Sequence, residues 1–254
     1  MAFYLIGTGM NEKSIGADAL EILKTCDKIY LENYTVNFPY PIEQLEKSYG
    51  VKITELARSA VEDESILEEA KNSKVALLVY GDSLSATTHM QLILECKKQN
   101  IEYQIFHNAS IMTTIAETGL QLYKFGKTAS MPNWKEHTNK PTSFMNYIKE
   151  NQSIKAHTLI LTDIGLEINN AMEQLIESSK QTKVELPEKI ITISNAGTQN
   201  QKIFYDTPKN LANRHTDTPN TNTPQMQSIC MPFCLIIPTE LHFIEQESLE
   251  ELKE

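Results

Sequence analysis

Arginine is nearly missing. The 254-residue chain has only Arg58 and Arg214, and its formal charge is −10. Gripping a phosphate backbone takes clustered basic side chains, so this composition speaks against a nucleic-acid surface. An acidic body of this kind suits a basic protein partner or a small molecule. Long hydrophobic runs are missing too: "VALLVY" at 75–80 and "CLIIP" at 234–238 fall far short of the roughly 20 residues that span a bilayer. The N-terminal "MAFYLIGTGMNEK" has no basic stretch leading into an apolar segment and a small-residue cleavage site. The expectation is a soluble, cytoplasmic protein with no membrane contact. Cys26, Cys96, Cys230 and Cys234 contain no Cys-x-x-Cys pair, and the six histidines contain no His-x-x-x-His. Reduced thiols and no metal centre are expected. Also absent are a P-loop, a Gly-x-Gly-x-x-Gly fingerprint and a Gly-x-Ser-x-Gly elbow. The chain looks built for holding a ligand rather than for attacking one.

What is present is a strand-then-helix rhythm through the first half. "FYLIGTGM", "KIYLENY", "VKITEL", "KVALLVYG" and "EYQIFH" read as strands. Between them lie helical segments: "SIGADALEILKTC" with Ser14 as N-cap, "PIEQLEKSYG", "DESILEEAKNS", and a helix from about 86 to 99. Such alternation predicts a mostly parallel sheet covered on both faces. Beyond about residue 109 the pattern becomes mixed. "SIMTTIAETGL" and "INNAMEQLIESSK" read as helices, "HTLILTDI" as a strand, and "KIITISNAG" with "QKIFYD" as a hairpin. The fold class is therefore α/β in two domains, 1–108 with a mostly parallel sheet and 109–254 with a mixed one. The stretch "TDTPNTNTPQMQ" at 216–227 reads as a polar surface loop with no chemistry.

Three loops that leave predicted strands are candidates for a site, because open α/β sheets bind ligands beyond the carboxyl ends of their strands. Gly7-Thr8-Gly9-Met10 lets the backbone turn sharply and approach a ligand. In "GDSLSATTH" at 81–89, Asp82 offers a carboxylate to a ribose or amino group, while Ser85, Thr87 and Thr88 offer hydroxyls. In "HNASIM" at 107–112, Ser110 is a good N-cap and Ile111 an apolar wall. His89 reads as a histidine packed against the strand end.

Together these loops resemble the diphthine synthase family, within the methyltransferases similar to tetrapyrrole methylases. The likeness rests on "LIGTGM" at 5–10, "KIYLENYT" at 28–35, "GDSLSATTH", "HNASIM", "GLQLYKFGKT" at 119–128, "PTSFMNYIKEN" at 141–151, "HTLILTDI" at 157–164 and "AGTQNQKI" at 196–203. The resemblance implies a homodimer of two-domain α/β chains that binds S-adenosylmethionine between its domains. It implies that translation elongation factor 2 is the partner, methylated repeatedly on the 3-amino-3-carboxypropyl group of its modified histidine. The donor-binding residues it implies are Met10, Asp82, Ser85, Ser110 and Ile111, with Thr162, Gln199 and Ile236 from the later strands. It names no residue as catalytic acid or base, and methyl transfer from a sulfonium depends more on holding an unprotonated nucleophile in line than on an enzymic base. Four features depart from the family pattern: Ser83 stands where a proline is usual, Asn195 where an arginine is usual, the segment after Asp163 is short, and the polar stretch 216–227 stands where the family has an ordered connection. A tetrapyrrole methylase proper, or a non-catalytic member that binds the elongation factor, are the alternatives.

Overall fold

The structure, a computed structural model, describes residues 1–62, 65–214 and 228–252. It divides into two units, Met1–Thr114 and Ile115–Glu254. The stretch expected to form a polar loop, 216–227, lies outside the described residues.

The first unit runs β1 (Ala2–Gly7), α1 (Ala17–Leu23), β2 (Lys28–Glu32), α2 (Ile42–Tyr49), β3 (Thr54–Leu56), α3 (Arg58–Glu62), α4 (Ser65–Ala70), β4 (Lys74–Val79), α5 (Met90–Gln99), β5 (Tyr103–Phe106) and α6 (Ile111–Thr114). All strand pairs are parallel, in the order β3-β2-β4-β1-β5. β1 and β4 read as continuous apolar runs because both of their faces are covered. Tyr4, Ile6, Ala76 and Leu78 pack with Leu23, Leu45 and Tyr49 on one side. Phe3, Leu5, Val75 and Leu77 pack with Leu67, Ile93 and Cys96 on the other. β1 continues through α1 on one face of the sheet and β4 through α5 on the other, so the loops leaving these neighbouring strands part to opposite faces. That divergence is the topological switch point at which such sheets open a crevice.

Helix boundaries follow local chemistry. α2 buries Leu45 and Tyr49, one turn apart, and stops at Gly50, whose φ of 69° is left-handed. Three expectations need correction here. Ser14 does not cap α1: Gly16 holds that position without a side-chain bond, and the Ser14 hydroxyl instead donates to the carbonyls of Thr8 and Asn11 within the preceding turn. The helix after β4 begins at Met90, not near 86, because Ala86 sits at φ 58° and the 83–86 stretch forms turns. "SIMTTIAETGL" likewise yields only the single turn α6 and a 3₁₀ turn at Ile115–Thr118. Its threonines explain this, since Thr113, Thr114 and Thr118 turn their hydroxyls back onto nearby carbonyls and so compete with a regular helix.

The second unit contains β6 (Ala129–Met131), α7 (Phe144–Ser153), β7 (Thr158–Thr162), α8 (Ile168–Thr182), β8 (Ile190–Ser194), β9 (Lys202–Asp206), α9 (Pro208–Ala212), β10 (Phe233–Ile237) and α10 (Phe243–Glu251). The sheet order is β6-β7-β10-β8-β9. β6 and β7 are parallel and the other pairs antiparallel, with β8 and β9 forming the expected hairpin. α8 carries a buried stripe of Ile168, Ala171, Met172 and Leu175 at helical spacing. That stripe joins Phe144, Met145 and Ile148 of α7 over Phe233, Leu235 and Ile237 of β10. α10 opens with a capping box in which His242 and Glu245 bond to each other's backbone. Among the described residues no helix is long and apolar enough to cross a membrane.

Candidate functional site

The site begins as a backbone arrangement. Beyond β1, Thr8 donates its N–H to the Val79 carbonyl at 2.8 Å. Gly9 and Gly81 then exchange two N–H···O bonds of 2.9 and 3.0 Å, which join the loops leaving β1 and β4. Both glycines have positive φ, 75° and 72°, where a side chain would be strained. Gly7 is required for a different reason: a Cβ there would lie 2.6 Å from the Gly81 carbonyl oxygen, a backbone atom that cannot swing aside. Gly7→Ala is therefore expected to lower stability by about 1–3 kcal/mol, the usual cost of overpacking. An unchanged thermal midpoint would contradict this packing.

Asp82 connects the β4 loop to the β5 loop. Its Oδ1 accepts from the Leu84 N–H at 3.0 Å and the Ser85 hydroxyl at 3.1 Å. Oδ2 accepts from the Asn108 N–H at 3.0 Å and pairs with His107 Nδ1 at 2.9 Å. Burial alone would push this carboxyl up, but the four donors outweigh burial and hold it below the ordinary carboxylate value. The side chain thus stays ionised with 10% of its surface exposed. Asn108 draws in the third loop by donating its side-chain amide to the carbonyls of Gly7 at 3.1 Å and Ser14 at 2.8 Å. Sequence reasoning missed both His107 and Asn108. The available signal was their position directly after a strand, two residues ahead of a capping serine.

The remaining expected residues of this unit fall on the same three loops. Ser110 is buried and caps α6 by accepting from the Met112 N–H at 3.2 Å. Ile111 is half-buried beside it. Met10 is buried, and its carbonyl accepts from the Tyr80 hydroxyl at 3.3 Å. Ser83, which stands where the family pattern has proline, is tied down by hydrogen bonds in place of a ring. Its hydroxyl donates to the Phe106 carbonyl at 3.3 Å, while its own carbonyl meets the Thr87 hydroxyl at 3.1 Å and His89 Nδ1 at 3.3 Å. His89 is buried against the strand end, where desolvation pushes its pKa down, and its other nitrogen lies 3.8 Å from the buried Glu32 carboxylate. Glu32 is occupied by Tyr34 and Thr35, so the two residues brace the strand end from within.

The donor set narrows the ligand. The loops at 81–89 and 107–112 hold one ionised carboxylate, several hydroxyls and no lysine or arginine. A phosphate would find no strong countercharge here, whereas an adenosine joined to a cationic sulfonium would meet the Asp82 carboxylate and the apolar edge of Ile111. Residues 2–212 match the family described as Tetrapyrrole (Corrin/Porphyrin) Methylases.

The chain belongs to that family and is a methyltransferase.

Within the family it falls among the diphthine synthases. It is 41% identical to the diphthine methyl ester synthase of Schizosaccharomyces pombe over 82% of this chain and 73% of the other. The human diphthine methyl ester synthase is 40% identical, over 81% of this chain and 73% of the other. A crystal structure of a diphthine synthase superposes with a TM-score of 0.84 at 32% identity, covering 99% of this chain and 96% of that one.

In the second unit of the methyltransferase, the later candidates divide. Thr162 ends β7 and donates its hydroxyl to the Phe233 carbonyl at 2.7 Å. Ile236 is fully buried in β10 between Leu159 and Ile191, on the sheet face opposite the α7 and α8 core. Gln199 is exposed on the turn after β8. It is Gln201 that holds that turn, by accepting from the Gly197 N–H and donating to Glu117. Asn195, found where the family pattern has arginine, takes a left-handed φ of 50°. Asparagine tolerates that conformation better than a long side chain does.

Proposed function

We propose that this methyltransferase takes its methyl group from S-adenosylmethionine and adds it repeatedly to the 3-amino-3-carboxypropyl arm of the modified histidine of elongation factor 2, as a diphthine methyl ester synthase. The observation that carries the reading is the 41% identity to an enzyme of that name over 82% of the chain. The donor set supports it, because an ionised carboxylate among neutral hydroxyls suits a sulfonium nucleoside better than a phosphate. We assign donor contact to Met10, Asp82, Ser85, Ser110 and Ile111 in the first unit and to Thr162, Gln199 and Ile236 in the second. A homodimer working in the cytoplasm completes the proposal.

When bound, the donor supplies an electrophilic methyl group on a good leaving group. The chain's own task is to orient and shield. The Gly9–Gly81 bridge fixes the loop backbones, Asp82 keeps one negative charge at their junction, and Ile111 keeps an apolar edge beside it. Fixed dipoles of this kind need little reorganisation as charge moves, and orientation can lower a barrier by roughly 7–11 kcal/mol in favourable cases.

Titration calorimetry with S-adenosylhomocysteine tests donor recognition. The proposal expects saturable binding that is lost in Ser110→Trp, where the bulk fills the space beside Gly81. Undiminished binding by that variant would remove the β5 loop from the site.

A further inference from the structure

His107 is the one side chain of the three loops that is both ordered by a buried charge and open to solvent. Its ring is 67% exposed, yet Nδ1 lies 2.9 Å from Asp82 Oδ2. Among the described residues Asp82 is the only charged group in hydrogen-bond or ion-pair contact with it. Asp82 is ionised and accepts only, so the bond requires a proton on Nδ1. In the neutral ring that choice leaves Nε2 as a bare acceptor. The carboxylate is itself fixed by Leu84, Ser85 and Asn108, so it cannot turn to accommodate a different tautomer. An aspartate that sets the tautomer and orientation of a histidine is the arrangement general-base histidines use.

Resting on the proposed function, we propose that His107 is the proton acceptor that frees the substrate amine before each N-methylation. An alkyl amine is an ammonium ion at neutral pH, as the lysine value of about 10.4 shows, and an ammonium has no lone pair to attack with. Nε2 takes one N–H proton. The nitrogen lone pair then forms the N–C bond while the S–CH₃ bond breaks and its electron pair stays on sulfur as a neutral thioether. The imidazolium passes its proton to solvent through its exposed edge. The alkylated nitrogen again carries a proton, so the second and third transfers each require the same removal. Methylation of the neighbouring carboxylate requires none, because that group is already ionised. His107 therefore serves the amine steps and not the ester step.

The test uses the full-length protein and two readouts. In ¹⁵N-labelled enzyme without substrate, the His107 ring, assigned by its loss in His107→Gln, is expected as the Nδ1–H tautomer; an Nε2–H tautomer overturns the proposal. In His107→Gln, amine methylation at neutral pH is expected to slow on the order of 100-fold, within the range typical of a lost general base. The acidic limb of its pH–rate profile is then expected to follow the substrate amine itself, whose ordinary value is about 10.4. Ester formation on a substrate already bearing three N-methyl groups is expected to lose far less than the amine steps. Equal loss of amine and ester transfer would assign His107 a merely structural role, and loss of neither would remove it from the reaction. A parent enzyme that transfers no methyl at all overturns the proposed function and this assignment together, whereas normal transfer by both parent and variant overturns this assignment alone.

Discussion

Replacing Glu245 with alanine lowers the unfolding free energy by about 3–5 kcal/mol, the range expected when one partner of a buried ion pair is removed. Glu245 is fully buried and all its acceptor directions are occupied. Oε1 accepts from the Gln121 N–H at 3.0 Å and pairs with His157 Nε2 at 3.3 Å. Oε2 accepts from Lys124 Nζ at 2.5 Å and the His242 N–H at 2.8 Å. The Thr239 N–H donates to His157 Nδ1 at 3.0 Å, so the proton of the neutral ring sits on Nε2 and points at the carboxylate. One side chain thus joins the start of α10, the 121–124 turn and the approach to β7. Its loss leaves Lys124 without its ion pair, His157 without an acceptor and two backbone N–H groups unpaired.

The same residue sets an acid limit. Burial would raise the Glu245 carboxyl, but Lys124 first, then the Gln121 and His242 N–H groups and His157, bring it down from 4.5 to about 2. A folded-state value below the unfolded one gives stability that is present above about 4.5 and is lost as pH falls toward 2. His157 acts in the same direction, since burial lowers its pKa and protonation then favours the unfolded chain. Chemical denaturation between pH 7 and pH 3 is expected to show the parent losing stability where Glu245→Ala loses less. Parallel curves would contradict the assignment.

Asp82→Asn is the second large effect. It is expected to cost about 2–4 kcal/mol of stability and to reduce S-adenosylhomocysteine affinity at least about 100-fold, since hydrogen bonds to a charged acceptor are worth roughly 1.5–3 kcal/mol each. An amide can offer only one oxygen. Whichever way it turns, its NH₂ faces either the Leu84 and Ser85 donors or the Asn108 and His107 donors. The β4 and β5 loops then lose their common acceptor and the geometry of the site with it. A carboxylate on a loop is seldom part of a core. Here it is buried and internally committed, so calorimetry and thermal denaturation should fall together. Lost binding with an unchanged midpoint would show that Asp82 serves the ligand alone.

The sequence was legible where one physical signal acted alone. Two-sided burial made β1 and β4 continuous apolar runs, and spacing placed Leu45 and Tyr49 on one face of α2. The three loops of the first unit were visible because glycine, hydroxyl and acidic residues stood directly after such runs. Boundaries failed where side chains competed with the backbone, as at Ser14, Thr87 and the threonines after Ser110. Ser83 could not be judged from its type, because the bond that replaces a proline's rigidity comes from Phe106, more than twenty residues away. His107 escaped for the same reason: its role depends on a partner brought to it by β4, which lies two places away in the sheet.

Intact-mass measurement of elongation factor 2 carrying the unmethylated intermediate, after incubation with this protein and S-adenosylmethionine, tests the central claim most directly. The account predicts stepwise gains of methyl masses, ending with the three amine methyl groups and the ester. A folded protein that binds the factor but leaves its mass unchanged would contradict it.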